Sequence, residues 1–357
     1  MSGPLKAGDL IGGRYEIGHY MAEGGMQYVY LARDTLTGRE VALKTPKNSS
    51  ATKRFRRSAI VAAKVNHPNV AKTLDYLREG DFRYLIEELI IGQDLSHALL
   101  KHTEFLDPYL AARAFHHLAK GVAAAHHVNV IHRDLKPSNV MVAGGYDMTE
   151  VKVTDFGIAK LAKEELEEAA EGGTGTMSMS QTAVGALPYM APEAIETPKD
   201  VTTAADIWSL GAMLYHILTG VTPFGSGLRA VRRITSGEIE KPPRFLTANP
   251  QFSALAEQVL RLSLECMNRD PDKRPRADQL VMECGALCYN SAPRLFGTIR
   301  RMDYGKYGFI NVDGGNEAFF HIESFYGPTP PKLGDKVMFS SYLGGGAPRA
   351  YPIVKLK

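Results

Sequence analysis

Two short stretches in the middle of the chain carry side chains suited to phosphate chemistry. "VIHRDLKPSNVMV" contains Asp134, Lys136 and Asn139 between two apolar, strand-like pieces, and "VKVTDFGIAK" follows with Asp155. A phosphoryl-transfer site needs a carboxylate that orients a hydroxyl, a lysine near the moving phosphate, and hard oxygen ligands for Mg²⁺. A lone Asp in a loop is usually a turn former. Together, in this order and spacing, the four side chains predict a site for phosphoryl transfer.

The elements that must position these residues change in character along the chain. Residues 15–89 show strand-like runs, interrupted by one basic helical stretch near residues 52–65. From Asp107, which can cap a helix, helical periodicity dominates. "AADIWSLGAMLYHILTG", ending at Gly220, is apolar nearly all round, which predicts a helix buried on every side. From Leu295 the composition turns to Gly, aromatic and alternating residues, which indicates a second domain.

Length and composition limit the class of protein. The chain has 357 residues, of which 44% are hydrophobic and 23% charged, and this is typical of a soluble protein with two or three domains. A net charge of +3 does not by itself indicate a nucleic-acid partner. Three cysteines form no disulfide framework, and no window reaches the roughly 18 apolar residues of a membrane span. We therefore expect a cytoplasmic protein that does not enter a membrane.

Residues 14–288 resemble a protein kinase domain of the bacterial Ser/Thr type. The motifs that carry the resemblance are "VALK" with Lys44, "HPNV", "HRDLKPSN", "DFG", "APE", "DIWSLG" and "RDPDKRP". The resemblance implies an α+β, bilobal protein-kinase fold with a β-rich small lobe and a helical large lobe. It places a kinase-like domain at 14–290, a linker at 291–294 and the second domain at 295–357.

The resemblance assigns a role to each motif residue. Asp134 would orient the substrate hydroxyl, Lys136 would neutralise charge at the γ-phosphate, and Asn139 and Asp155 would hold Mg²⁺. Lys44 would contact the α- and β-phosphates of ATP, with Gly24, Gly25, Val29 and Ala42 around the nucleotide. Glu193 and Arg274 resemble the ion pair that supports the substrate lobe, and Asp206 resembles the residue that braces the catalytic loop.

The sequence departs from the family pattern at three places that bear on activity. Ala22, Gly24 and Gln27 occupy the positions of the three glycines that usually cover the phosphates, and we expect Gln27 to stiffen the hairpin or lean toward the nucleotide. Ala186 stands where relatives have a threonine. Ser58, in "RFRRSA", stands where relatives of this type place a helix glutamate that pairs with the strand lysine.

The acid that should hold Lys44 is absent from its neighbourhood in sequence. Residues 41–74 contain eight Lys or Arg and no Asp or Glu. Lys44 is therefore steadied by another acid, for which Asp155 is the obvious candidate without Mg²⁺, or is left to the nucleotide phosphates. Because Asp134, Asn139 and Asp155 are all present, we favour a Ser/Thr protein kinase, slow or atypical; the alternative is a nucleotide-binding pseudokinase acting as a non-catalytic regulator.

The segment between Gly157 and Ala191 carries an acidic run followed by five hydroxyl residues. Such a composition is disordered unless a charge orders it. By resemblance to kinases that read loop phosphorylation through the arginine beside the catalytic Asp, we expect Arg133 to pair with phosphate here. The candidate phosphorylation sites are Thr174, Thr176, Ser178, Ser180 and Thr182.

The C-terminal segment predicts a different activity. Tyr307 and Phe309 alternate on one strand, and Phe319 and His321 alternate on the next, so neighbouring strands would place all four on one sheet face. Such alternation alone is more often half-buried core than a binding platform. However, "KYGFI" and "AFFHI" resemble the two nucleic-acid-binding motifs of the cold-shock domain, a five-stranded barrel of the OB type.

The resemblance implies that the aromatic face stacks on unpaired bases of single-stranded RNA or DNA. Arg300 and Lys306 would then meet phosphates. From Arg294 onward there are nine Lys or Arg and five Asp or Glu, a net charge of +4. Arg301 and Met302 replace an exposed Trp and Phe common in the family, and Ile322 replaces another aromatic, so we expect weaker stacking. The expected partners are a protein substrate carrying Ser or Thr and single-stranded nucleic acid; the sequence leaves the oligomeric state open.

Overall fold

The computed structural model describes residues 4–23, 27–47, 52–156 and 185–357. Within these ranges, the amino-terminal part of the chain forms one antiparallel sheet with the order β1-β2-β3-β4-β6-β5. Its buried face packs residues such as Tyr15, Tyr30, Leu43 and Ile86 into a core of its own. The strands are β1 (Leu10–Ile11), β2 (Tyr15–Glu23), β3 (Gln27–Asp34), β4 (Glu40–Pro46), β5 (Thr73–Glu79) and β6 (Phe82–Glu88).

One helix, α1 (Thr52–Ala62), crosses this sheet and matches the basic helical stretch expected from the sequence. Phe55 and Ala59 are buried and pack against Leu85 and Tyr76 in a small apolar cluster. Beyond the end of α1, Val65 and Val70 join the main core of the helical lobe, so the chain connects the two lobes through buried residues.

The second lobe is helical and contains the largest core. Its helices are α2 (Pro108–His127), α3 (Pro192–Glu196), α4 (Ala204–Thr219), α5 (Leu228–Ser236), α6 (Phe245–Ala248), α7 (Pro250–Cys266) and α8 (Ala277–Ala286). Asp107 caps α2 as expected, because its carboxylate accepts hydrogen bonds from the backbone N–H groups of Tyr109 and Leu110. The prediction of a fully buried helix is confirmed by α4, where Trp208 is completely buried and stacks on Phe224.

Short elements between the lobes carry the motif residues. The strands β7 (Gln93–Asp94), β8 (Val140–Ala143) and β9 (Glu150–Val153) form a small sheet in the order β7-β8-β9. A π-helical turn covers Ser96–Leu100. Among the 3₁₀ turns, Pro137–Asn139 leads into β8, and the others are Gly145–Asp147, Leu187–Tyr189, Pro198–Asp200, Pro271–Lys273 and Ile322–Ser324.

The last part of the chain, described without a gap, forms a closed barrel of five strands. They are β10 (Leu295–Asp303), β11 (Tyr307–Val312), β12 (Glu317–His321), β13 (Lys336–Tyr342) and β14 (Arg349–Lys355), in the order β10-β11-β12-β14-β13. β13 pairs with β10 and closes the barrel. Ile310, Phe320 and Phe339 fill the interior. The fold class expected from the sequence, a bilobal α+β domain with a small all-β barrel, is therefore confirmed.

The barrel packs directly on the helical lobe. Tyr326, Met338 and Val354 belong to the core of that lobe, and the ring of Tyr326 lies 5.2 Å from that of Phe252 in α7. Arg294, just before β10, forms a buried ion pair with Asp107 at the start of α2, with a nitrogen to oxygen distance of 2.8 Å. Among the described residues, no helix is long and apolar enough to cross a membrane.

Candidate active site

The loop between α2 and β8 gathers three motif residues. The Lys136 Nζ lies 2.8 Å from Oδ2 of Asp134. Asn139 Nδ2 donates to the same carboxylate at 3.0 Å and to the Asp134 carbonyl oxygen at 2.8 Å. Lys136 and Asn139 are buried, whereas Asp134 retains partial exposure at the cleft. The carboxylate is thus held in one orientation while one side stays open to a substrate.

The helical lobe fixes the backbone of this loop. Asp206, buried in the first turn of α4, accepts hydrogen bonds from the backbone N–H groups of His132 and Arg133, each at 2.8 Å. Arg133 adopts a φ of 70°, a conformation that non-glycine residues rarely adopt and that these bonds stabilise. The bracing role expected for Asp206 matches this geometry, and the Arg133 side chain is exposed.

Asp155 follows β9 and meets two residues of the small lobe. Its Oδ1 accepts hydrogen bonds from Lys44 Nζ at 2.8 Å and from Gln27 Nε2 at 3.0 Å. Burial alone would raise the pKa of the Asp155 carboxyl, but the charge of Lys44 and these two hydrogen bonds outweigh burial and lower it. Asp155 is therefore a carboxylate at neutral pH.

Lys44 has a second acidic partner, Glu87 of β6. The Lys44 Nζ lies 2.6 Å from Glu87 Oε2, and only 9% and 6% of the two side chains are exposed. β4 and β6 are neighbours, with Ala42 opposite Glu87 and Lys44 opposite Leu85, so both side chains emerge on the same face. Burial opposes the charge of Lys44, yet Asp155 and Glu87 together raise its pKa above the ordinary value.

The residues expected around the nucleotide lie mainly on β3 and β4. Val29 is half-buried and lies opposite Lys44, and Ala42 is buried on the same strand as Lys44. Gln27 is 7% exposed and reaches Asp155, while its Oε1 has no hydrogen-bond partner among the described residues. Gly24 and Gly25 lie outside the described residues.

The large lobe contains the expected supporting pair. Arg274 donates to Glu193 Oε1 at 2.6 Å and Oε2 at 2.9 Å, a two-pronged contact in which the Arg274 side chain is fully buried. Its guanidinium also lies over the Trp208 ring, 5.0 Å from the centroid. Ala186, at the start of the Leu187–Tyr189 turn, is buried. The candidate phosphorylation sites at residues 174–182 lie outside the described residues.

The donor set of the cleft fits Mg²⁺. Mg²⁺ prefers a few hard oxygen ligands together with phosphate oxygens. Asp155 offers a carboxylate whose Oδ2 makes no hydrogen bond among the described residues, and Asn139 offers its amide Oδ1, since its Nδ2 is used by Asp134. The residues present therefore suit the ion.

The barrel brings the four predicted side chains onto one outer face. Tyr307 lies opposite His321 and Phe309 opposite Phe319 across β11 and β12. Ring centroids are 6.0 Å apart for Tyr307 and Phe319 and 5.8 Å apart for Phe309 and Phe319. Tyr304, which the sequence interpretation missed, extends this row at 6.3 Å from Tyr307 and is 89% exposed. The interior residues between them are buried, so the alternation is that of a two-sided strand.

The basic residues of the barrel differ in availability. Lys306 is exposed beside the aromatic row. Arg300 is exposed but pairs with Glu317. Arg301, opposite Phe309, pairs with Asp303 at 2.9 Å. Both arginine side chains are exposed to solvent, at 68% for Arg300 and 66% for Arg301. Ion pairs of exposed side chains are weak, so these arginines can exchange their carboxylate partner for a phosphate.

Besides Tyr304, two features escaped the sequence interpretation. Glu87 lies in an apolar strand, "RYLIEEL", and its partner is distant in sequence. Only the pairing of β4 with β6 could have revealed that it faces Lys44. The contact of Arg294 with Asp107 also depends on tertiary structure, because the sequence predicts a helix cap at Asp107 but gives no sign that Arg294 meets it.

The cleft between a small antiparallel lobe and a helical lobe brings together two lysines, three carboxylates and the Asn139 amide. This arrangement defines a kinase-type fold. The family model for the protein kinase domain matches residues 15–283, so the chain belongs to the protein kinase family. It is 32% identical over 276 residues to a probable serine/threonine-protein kinase of Clostridium perfringens, covering 75% of this chain and 37% of that protein.

Two further relatives show the same relationship. The serine/threonine-protein kinase PkaA of Streptomyces coelicolor is 32% identical over 76% of this chain and 49% of its own length. The serine/threonine-protein kinase PrkC of Bacillus subtilis is 31% identical over 75% of this chain and 39% of its own length. The chain thus spans less than half the length of these relatives.

Proposed function

We propose that this protein is a Ser/Thr protein kinase that transfers the γ-phosphoryl group of ATP with the help of Mg²⁺. The observation that carries the proposal is the arrangement of Asp134, whose carboxylate is held by Lys136 and Asn139 at 2.8 and 3.0 Å and remains partly exposed. A carboxylate fixed in this way can orient a Ser or Thr hydroxyl and accept its proton.

The other residues of the cleft take complementary parts. Lys136 lies beside Asp134 and can neutralise charge that develops on the transferred group. Lys44, buried and positively charged, is available to the α- and β-phosphates. Asn139 and Asp155 would hold Mg²⁺, which supplies charge neutralisation across the phosphates when bound. Val29 and Ala42 would cover the adenine.

The main objection to catalysis was the lack of an acid for Lys44. Glu87 removes that objection, because it contacts Lys44 at 2.6 Å without help from Asp155. A nucleotide-binding pseudokinase remains the competing function. The absence of the threonine hydroxyl at Ala186 and the Gln27 contact with Asp155 favour a slow enzyme, since both affect the groups next to the transferred phosphate.

An assay with acceptor peptides tests the activity and its amino-acid class. The protein is incubated with labelled ATP, Mg²⁺ and three peptides that differ only in a central Ser, Thr or Tyr. We expect label on the Ser and Thr peptides, and its loss in Asp134→Asn, which keeps the size of the side chain. Equal labelling by wild type and Asp134→Asn, or labelling of the Tyr peptide alone, would contradict the proposal.

We further propose that the barrel is a cold-shock-type module that binds single-stranded nucleic acid. The support is the row of Tyr304, Tyr307, Phe319 and Phe309, whose neighbouring ring centroids are 5.8 to 6.3 Å apart on one outer face. Bases of any sequence can stack on such a face, while Lys306 and Arg300 lie at its side for phosphates. His321 extends the face beside Tyr307.

Binding is measured on the full chain by fluorescence anisotropy with a labelled single-stranded oligonucleotide. Each stacked base contributes about 1–3 kcal/mol, so Phe309→Ala together with Phe319→Ala should weaken binding by at least about tenfold. Phe82→Ala is the matched control, because Phe82 is an exposed phenylalanine of the small lobe. Affinity should fall with added salt. Equal affinity of the double variant and wild type would exclude this face as the platform.

The contacts between the barrel and the helical lobe support a coupled function. The hydroxyl groups of Tyr109 and Tyr351 are 2.8 Å apart, and the rings of Phe252 and Tyr351 stack with centroids 5.2 Å apart. Together with the Asp107 and Arg294 pair, these contacts fix the barrel on the lobe that would bind the protein substrate. We propose that the chain phosphorylates proteins while it is bound to single-stranded RNA or DNA.

A further inference from the structure

We infer that Glu87 is the positioning residue of Lys44, in the place that related kinases give to a glutamate on the small-lobe helix. The inference rests on the proposed phosphoryl transfer and adds to it the source of the lysine's orientation. Glu87 comes from β6, a neighbour of the lysine strand in the same sheet, whereas Ser58 occupies the helix position.

The burial of Lys44 and Glu87 indicates that their ion pair has a functional role. Among the described residues, Lys44 is the one cation within ion-pair distance of Glu87. A buried carboxylate without a partner is strongly destabilising, so Glu87 requires the charge of Lys44. A pair of buried charges seldom adds stability over an apolar pair of the same size, which favours a functional reason for keeping it.

The sheet sets the geometry of the pair. Ala42 lies opposite Glu87 and Lys44 opposite Leu85, and the backbone ladder between β4 and β6 holds the two side chains on one face. α1 also packs on β6, through Phe55 and Ala59 against Leu85. Residues 52–62 contain no Asp or Glu, so α1 brings no acid to this face. Lys44 therefore keeps its orientation without an acid from α1.

Without Glu87, Asp155 would have to orient Lys44 and also bind Mg²⁺. Asp155 contacts Lys44 at 2.8 Å and is the proposed carboxylate ligand of Mg²⁺. Its Oδ1 already accepts from both Lys44 and Gln27. Because Glu87 also contacts Lys44, the lysine keeps one carboxylate partner when Asp155 binds Mg²⁺.

The kinetic test compares two adjacent glutamates of β6. Glu87→Gln keeps the side-chain size and removes the charge at Lys44. We expect its kcat to fall about 100-fold, the scale of a small misplacement of a catalytic group, with a smaller change in KM for ATP. Glu88→Gln is the control, because Glu88 pairs instead with Lys152 at 2.7 Å and is partly exposed. Glu87→Gln with the kcat of wild type would overturn the inference while leaving the proposed function intact.

A second measurement asks whether Glu87 acts through Lys44. Urea unfolding is compared for wild type, Glu87→Gln, Lys44→Met and the double variant. Lys44→Met leaves the buried Glu87 carboxylate without its cation, whereas Glu87→Gln leaves Lys44 with Asp155 as its remaining partner. Removing both members of the pair leaves no uncompensated charge at Glu87, so we expect the double variant to lose less stability than the sum of the two single losses. Strictly additive losses would overturn the inference.

The unfolding cycle requires no enzymatic activity. If wild type transfers no phosphate, the proposed function fails, and the cycle still decides whether Glu87 is coupled to Lys44. If wild type is active, Glu87→Gln should add little further loss of transfer in the Lys44→Met background, because a positioning residue acts only through its partner. A further loss as large as that seen in wild type would show that Glu87 acts elsewhere and would also overturn the inference.

Discussion

Replacing Arg294 by Met should destabilise the folded protein strongly, although the residue lies just before the barrel and contacts none of the cleft residues named above. The Arg294 side chain is 3% exposed and that of Asp107 is 0% exposed. Arg294 Nη2 donates to both carboxylate oxygens of Asp107, at 3.0 and 2.8 Å. Met has a similar apolar stem, so the substitution removes the charge and leaves the packing volume nearly filled.

The magnitude follows from what remains around Asp107. Its carboxylate would keep the N–H groups of Tyr109 and Leu110, at 3.1 and 3.3 Å, but would lose its cation in a buried site. Breaking a buried pair by removing one partner costs about 3–5 kcal/mol. Because Asp107 keeps two hydrogen bonds, we expect the free energy of unfolding to fall by about 3 kcal/mol, the lower end of this range. Asp107→Asn in the same chain should restore part of that loss, because Asn is neutral and still caps the helix.

Urea denaturation followed by circular dichroism and Trp208 fluorescence measures the change. Arg261→Met is the matched control: Arg261 lies 2.7 Å from Glu265 on α7, but its side chain is 54% exposed. An exposed pair contributes about 0–1 kcal/mol, so this control should remain close to wild type. Equal unfolding midpoints for Arg294→Met and Arg261→Met would refute the argument from burial.

Three further changes have distinct expected outcomes. Ser58→Glu should leave the rate of transfer nearly unchanged, because Lys44 already has two carboxylate partners; a large gain in initial rate would contradict this. Gln27→Ala should lower the Mg²⁺ concentration needed for half-maximal transfer, because it removes one of the two hydrogen bonds that Asp155 Oδ1 accepts. An unchanged Mg²⁺ titration would count against this. The third change is His216→Gln. Burial lowers the pKa of His216 from 6.5 to about 4 in the folded protein, so between these pH values the imidazole is protonated in the unfolded chain but neutral in the folded one. Stability should fall as the pH drops from 6.5 toward 4, by at most about 1.4 kcal/mol per pH unit from this group, and His216→Gln should flatten the pH dependence of the urea midpoint.

Local signals in the sequence were enough to predict much of the fold. Asp107 before a proline and an apolar periodicity predicts the start of α2, and the apolar surface of residues 204–219 predicts a central helix. Alternation of aromatic residues likewise predicts the outer face of β11 and β12. In each case the determining interactions lie within a few residues along the chain.

The partners of Lys44 and Asp107 required the tertiary structure. Glu87 reaches Lys44 only because β4 and β6 are neighbours in the sheet, and Arg294 reaches Asp107 only because the barrel packs on the helical lobe. Side-chain patterns specify which face of an element is buried, but not which charged residue of another element meets it there. Residue types alone therefore left the question of the lysine's acid open between Asp155 and the nucleotide.

The most direct test of phosphoryl transfer is a single turnover with the protein in excess over labelled ATP. When the protein concentration also exceeds its Kd for ATP, nearly all nucleotide is bound, so binding and transfer are measured separately. With Mg²⁺ and an acceptor containing Ser or Thr, we expect wild type to convert bound ATP to ADP with matching phosphate on the acceptor. Asp134→Asn should bind ATP with similar affinity and leave it intact for much longer. Wild type that binds ATP and leaves it as intact as Asp134→Asn does would contradict the account.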